Sequence, residues 1–249
     1  MITRSDDYVE YCRETAKHAS DAHDLALRGR DKKEITRLIH ERIAEAVEMH
    51  SGDDLVDIGC GAGTLLRIAE RVGARSAVGL LATDEEVAVL RRFGLEARQA
   101  LSDKLPLPDQ CASVIVCNNV LLVVPREKIP ASLEEIHRIA KPGARIYLGE
   151  IPFLQPPDPT PYFNTRRETL AYLYRKHGLR TWFGMLRRMA GWALRGQPAV
   201  LRPGTAISFF ATAPEFIGMT QEAGLELVRY WQHSDPDTRN NYLFRKPAE

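Results

Sequence analysis

The run Leu55-Val56-Asp57-Ile58-Gly59-Cys60-Gly61-Ala62-Gly63-Thr64 constrains the fold more than any other part of this chain. An apolar strand enters a turn holding three glycines, and apolar residues at Leu65, Leu66, Ile68 and Ala69 continue at helical spacing. Glycine lets a backbone turn sharply and come into contact with a ligand. The helix start beyond it leaves N–H groups without intrahelical partners. A nucleoside-type cofactor fits such a place. The competing reading is a purely structural turn.

The rest of the central chain keeps the same rhythm. Strands are expected at Leu55–Ile58, Ser76–Leu81, Glu96–Ala100, Ala112–Asn118 and Arg145–Glu150, and helices at Thr64–Val72, Asp84–Arg92 and Ala131–Ala140. The run Ser113-Val114-Ile115-Val116-Cys117 is apolar almost throughout, as in a strand covered on both faces. Alternating strands and helices imply a parallel sheet with helices on both sides, whose ligands bind beyond the carboxyl ends of the strands. Before this region, Ile35, Leu38, Ile39, Ile43, Ala46 and Val47 share one helical face, and Asp6–Leu27 is a more polar helical segment. After it, Ala213–Ala223 reads as a helix, and Glu226–Gln232 and Asn241–Lys246 read as strands that close the sheet with an antiparallel edge.

Composition narrows the function. With 249 residues and a net charge of +1, the chain is long enough for one α/β domain and gives no global case for nucleic-acid binding. Its four cysteines, Cys12, Cys60, Cys111 and Cys117, form no metal-binding spacing and no disulfide framework, which points to a reducing, cytoplasmic compartment. No metal site and no secretory signal are expected.

Four motifs follow in order: Val56-Asp57-Ile58-Gly59-Cys60-Gly61-Ala62-Gly63, Lys104-Leu105-Pro106-Leu107-Pro108-Asp109, Val114-Ile115-Val116-Cys117-Asn118-Asn119-Val120-Leu121, and Glu135-Ile136-His137-Arg138-Ile139-Ala140-Lys141-Pro142-Gly143. In these the chain resembles the class I S-adenosylmethionine-dependent methyltransferases, over roughly Asp54 to Glu150. The resemblance implies a Rossmann-like, seven-stranded sheet with helices on both faces. Together with the helical spacing before it and the break after Glu150, this divides the chain into an N-terminal helical cap over 1–50 and a methyltransferase domain over 51–249, with a helical insert after the fifth strand at about 152–206. The resemblance implies S-adenosyl-L-methionine as cofactor, with Asp57, Gly59, Cys60, Gly61 and Gly63 at its amino-acid end, Leu101, Ser102 and Asp103 near the adenine, and Asn118 close to the methyl group.

Two positions depart from the family pattern. The acidic residue that usually ends the second strand and accepts hydrogen bonds from the ribose is Leu81 here, and the usual acid near the adenine amino group is Leu101. A leucine accepts no hydrogen bond, and each lost charge-assisted bond is worth about 1.5–3 kcal/mol. Asp103 could substitute near the adenine, and Thr83, Asp84 or Glu85 could reach the ribose. Asp84-Glu85-Glu86 reads more simply as the acidic first turn of a helix. The departures keep a second reading open, a non-catalytic protein of this fold with weakened cofactor binding. A nicotinamide-dependent oxidoreductase is disfavoured, because the third glycine stands one place early and the ribose carboxylate is missing.

Methyl transfer needs an aligned acceptor, and a base only where the acceptor must lose a proton. Glu150, Asn119 and His233 are the candidate catalytic groups. His18 and His23, with Tyr8 and Tyr11, are candidates on an N-terminal lid, while His137 reads as structural. Leu121-Leu122-Val123-Val124 supplies no histidine after the fourth strand. Five prolines in 152–163 mark a linker, and Asn164–Arg195 carries eight Arg and Lys residues against the single acid Glu168. Helical stretches are expected at Arg166–His177 and Thr181–Arg195. The second is basic and amphipathic, with three readings: an ordinary packed helix, a lid over a small and anionic acceptor, or a peripheral membrane contact through 181–195. Sequence leaves the oligomeric state open.

Overall fold

A computed structural model of the protein describes residues 4–25, 33–153, 208–232 and 239–248, with isolated positions between 174 and 194. In chain order these form α1 (Arg4–Lys17), a 3₁₀ turn (Ala22–Leu25), α2 (Lys33–Ala46), β1 (Asp54–Ile58), α3 (Thr64–Val72), β2 (Ser76–Leu81), α4 (Asp84–Arg92), β3 (Ala97–Gln99), β4 (Ala112–Asn118), α5 (Ile129–Ile139), β5 (Ala140–Pro152), α6 (Ala213–Glu222), β6 (Glu226–Gln232) and β7 (Arg239–Arg245). The seven strands make one sheet in the order β3-β2-β1-β4-β5-β7-β6. The first five run parallel, and β7 lies antiparallel between β5 and β6.

Alternation along the central strands divides the core. Ile115 and Cys117 of β4 pack with Leu133, Ile136, Phe216 and Phe244 under α5 and α6. Val114 and Val116 pack with Leu65, Leu66, Ala69 and Leu90 under α3 and α4. Burying each such side chain contributes about 1.5–3 kcal/mol. The second layer extends to Ala16, Leu25, Ile43 and Val47, so the N-terminal helices close the same core. Arg145 of β5 donates to Val47 O at 2.8 Å, and Arg92 of α4 to Ala19 O at 3.4 Å, which ties both N-terminal helices to the sheet layer.

Several boundaries differ from expectation, each for a local reason. Lys141-Pro142-Gly143 reads as a turn, yet β5 begins at Ala140. Ala112 pairs with Ala140, the register then shifts, and Gly143 at φ +75° absorbs the irregularity. The helix expected at Ala131 starts at Ile129, with Pro130 in its first turn, where proline loses no needed N–H. The last strand starts at Arg239, two residues before Asn241, because its polar first residues pair with Pro152 and Ile151.

The chain divides into two compact units, Met1–Gln155 with Ile207–Glu249, and Pro156–Ala206. In the second unit Leu179, Phe183 and Leu194 are helical and exposed. The stretches expected at Arg166–His177 and Thr181–Arg195 otherwise lie outside the described residues. No helix among the described residues is long and apolar enough to cross a membrane.

Candidate functional site

The turn after β1 is pinned at its entry, where Gly59 N donates to Leu80 O at 2.8 Å, and closed on itself, where Gly63 N donates to Cys60 O at 2.9 Å. Gly59 and Gly61 have φ of +73° and +50°, a region closed to most side chains. Gly59 is exposed, so the upper rim of the sheet is open at this turn. Among the described residues a Cβ on Gly61 would meet only Leu25 O, at 3.9 Å, so none of them fills the space above this glycine. Cys60 turns the other way, its Sγ packed where a Cβ of Gly79 would otherwise stand. Burial, and then the charges of Asp57 and Glu86, raise its thiol, so only its backbone faces the turn and it is no nucleophile.

Beneath the turn lies Asp57, 3% exposed. Its Oδ2 is buried and has no hydrogen-bond partner. Burial pushes its carboxyl up to about 7. A buried carboxylate without a partner is costly unless a cation or donor arrives. An ammonium group entering over the glycines would meet that need, so these residues suit the amino-acid end of the expected cofactor.

The side of the turn expected to face the nucleoside is apolar at Leu81. Leu81 is 4% exposed and belongs to the core layer under α3 and α4. Of the polar groups after it, Thr83 and Glu85 are committed elsewhere. Thr83 and Glu86 form a capping box at the start of α4, with Glu86 N donating to Thr83 Oγ1 at 3.3 Å and Thr83 N to Glu86 Oε2 at 3.2 Å. Glu85 pairs with Arg13 of α1 at 3.4 Å, and Asp84 is exposed. In the segment expected near the adenine, Leu101 is 43% exposed. Ser102 Oγ lies 2.9 Å from Ser132 Oγ, and Asp103 pairs with Lys128 at 2.8 Å. Asp103 is thus already spoken for by a lysine.

The polar groups gather instead at the carboxyl ends of β4 and β5. Asn118 is half-buried, and its Oδ1 is sealed without a partner beside Gly149. Asn119 and Glu150 both hold left-handed backbones, with φ of +64° and +65°. Asn119 N donates to Gly149 O at 3.0 Å, and Glu150 N to Asn241 Oδ1 at 2.9 Å. Tyr147 Oη donates to the same Asn241 oxygen at 3.0 Å. Arg239 Nη1 then donates to Glu150 Oε2 at 2.8 Å and to Asn119 Oδ1 at 3.4 Å. Val120, next in the chain, packs against Gly59 and connects this polar group with the glycine turn.

The structure thus brings Asp57, Gly59, Gly61, Asn118, Asn119 and Glu150 to one rim. His137 sits apart, half-buried against Gly224, its imidazole pKa lowered by burial and then by Lys246, as suits a structural role. Tyr8 hydrogen-bonds Cys12 within α1. His18 and His23 stand at the end of α1 and in the 3₁₀ turn, and His233 lies outside the described residues. Sequence reading missed Arg239 and Asn241. An antiparallel last strand puts its first residues at the end where the parallel strands finish, and that topology was the available signal.

A parallel sheet with one antiparallel strand inserted near its edge, carrying a glycine turn over an orphaned acid, defines a methyltransferase-type α/β domain. Residues 56–148 match the family described as methyltransferase domain. A malonyl-[acyl-carrier protein] O-methyltransferase of Pectobacterium atrosepticum is 33% identical over 115 residues, which cover 45% of this chain and 44% of that protein. The chain therefore matches less than half the length of this curated relative. Among solved structures, an S-adenosylmethionine-dependent methyltransferase from Mesorhizobium loti superposes with a TM-score of 0.58 at 18% identity, covering 82% of this chain and 96% of that one. The [4+2]-cyclase SpnF superposes with a TM-score of 0.59 at 17% identity, over 98% and 94%. Over residues 56–148 the chain is thus similar to methyltransferase domains, and its fold is that of the S-adenosylmethionine-dependent methyltransferases.

Proposed function

We propose that the chain catalyses S-adenosylmethionine-dependent methyl transfer to an oxygen of a small-molecule acceptor. The observation that carries this reading is the orphaned Oδ2 of Asp57 beneath an open glycine turn. Asp57 and the backbone of Gly59 and Gly61 would hold the amino-acid end, Asn118 would border the methyl group, and Leu81 and Leu101 would touch the nucleoside through apolar contact alone. When bound, the cofactor supplies a methyl group on a sulfonium whose sulfur leaves neutral, so an ionised acceptor oxygen needs no base. Glu150 is tied to Arg239, which suits a positioning role better than proton removal. This favours an acceptor oxygen that is already an anion, in keeping with a relative named for O-methylation of a malonyl group.

Leu81 and Leu101 favour the second reading, a non-catalytic protein of this fold with weakened cofactor binding. The cyclase neighbour illustrates that the fold alone does not dictate methyl transfer. Calorimetric titration with S-adenosylhomocysteine separates the two, followed by transfer of labelled methyl to a panel of carboxylate and hydroxyl acceptors. Saturable binding with label in a carboxylate ester supports the first. Absence of binding at millimolar concentration supports the second.

A further inference from the structure

Arg239 presents two different edges. Among the described residues its side-chain hydrogen bonds leave from Nη1, one to Glu150 Oε2 and one to Asn119 Oδ1. The Nε–Nη2 edge has no partner among the described residues. Fork-to-fork pairing is the stronger geometry between a guanidinium and a carboxylate. Here Glu150 takes only Nη1, shares it with Asn119, and leaves the two-point edge open.

The surroundings hold the guanidinium still. The side chains of Arg239 and Glu150 are only 14% and 11% exposed. Asn119 and Glu150 both keep left-handed backbones, a strained conformation for the glutamate above all. Both side chains meet at one nitrogen. The residue after Asn119, Val120, packs on Gly59, which links this cluster to the glycine turn.

We infer that the Nε–Nη2 edge of Arg239 is a subsite for a carboxylate on the acceptor, with Glu150 and Asn119 as positioning residues that aim it. The word acceptor rests on the methyl-transfer reading; the anion subsite does not. Two parallel N–H groups match the two oxygens of a planar carboxylate. Glu150 balances the arginine's charge when the subsite is empty and competes mildly with the arriving anion.

Calorimetric titration of the full chain with malonate, malonamide and inorganic phosphate tests this, with and without S-adenosylhomocysteine. Malonate should bind more tightly than phosphate, and malonamide should give no saturable heat. Arg239→Met should weaken malonate by about tenfold or more, the size of a lost charge-assisted pair. Arg239→Lys should fall between, and Glu150→Gln should tighten malonate by removing the competing charge. Affinity for S-adenosylhomocysteine should stay within about twofold in every variant. Unchanged malonate binding in Arg239→Met, or weaker or unchanged binding in Glu150→Gln, overturns the subsite. Should Arg239→Met fail to fold, the Lys and Gln variants decide. Malonate binding that obeys this pattern while S-adenosylhomocysteine never binds upholds the subsite and defeats only the methyl-transfer reading.

Discussion

Val120 closes against Gly59, so that any Cβ on the glycine would collide with the valine's Cγ2. The two residues belong to different strand ends, and the missing side chain is what lets those ends approach. Gly59 also sits at φ +73°. Gly59→Ala should therefore cost about 2–4 kcal/mol, from backbone strain and overpacking together. Thermal melting reads this as a fall of several degrees. Adding Val120→Ala should recover part of the loss by relieving the collision and leaving the backbone strain in place. No recovery in the double variant would show that Val120 is not what the glycine accommodates.

Asp57 couples the site to pH. Its carboxyl, pushed up to about 7 by burial, must ionise to meet an incoming ammonium group. Affinity for S-adenosylhomocysteine should be flat above pH 7 and should weaken by up to about tenfold per unit below it. Stability runs the other way. An acid whose folded pKa exceeds its unfolded value holds its proton more tightly when folded, so stability declines as pH rises from about 4 to about 7. Asp57→Asn should abolish that decline and should be more stable than the parent at pH 8, by on the order of a few kcal/mol, while binding the nucleoside poorly. A parent chain whose stability is level across that range would contradict the burial argument.

What could be read from sequence tracks how local the physics is. β1, β4 and α3 were legible because apolar runs and a glycine turn determine them within a few residues. Asp57 and the glycines were legible for the same reason. The capping box of Thr83 and Glu86 was only half visible, since acidic residues also suit any helix start. Arg239 was invisible because its place depends on the last strand running antiparallel, and because Arg239 and Asn240 lack the apolar character that marks a strand. The commitment of Asp103 to Lys128 depends on two loops meeting, and no spacing reveals that.

Leu81 changes meaning once its burial is known. Read from sequence, replacing it with aspartate restores a ribose acceptor. In the structure Leu81 is 4% exposed within the layer under α3 and α4. Leu81→Asp removes buried apolar volume and brings a carboxylate into an apolar place, so stability should fall by about 2–5 kcal/mol. Affinity for S-adenosylhomocysteine should not improve. Melting curves and calorimetry on the same preparation check both parts. Tighter binding in a stable variant would mean the side chain at position 81 can turn to the ribose after all.

Acid should undo the far end of the sheet first. Asp54, at the start of β1, accepts from Arg75, Lys141 and Ser76. Arg75 above all holds its carboxyl well below the usual carboxylate range, with Lys141 and Ser76 assisting against an opposing effect of burial. A carboxylate depressed in the folded state contributes stability that is present above its unfolded pKa near 3.9 and is lost as pH falls below that value. Arg75 is mostly exposed, so its share is screened and small. Lys141 is two-thirds covered and joins β5 to β1 through Asp54, which makes it the stronger partner for cohesion. Lys141→Met should therefore reduce stability at pH 7 more than Arg75→Met does, and Asp54→Asn should flatten the loss between pH 4 and pH 2. Urea titrations across that range test the order. An Arg75 variant that loses more than the Lys141 variant would place the cohesion at the exposed pair instead.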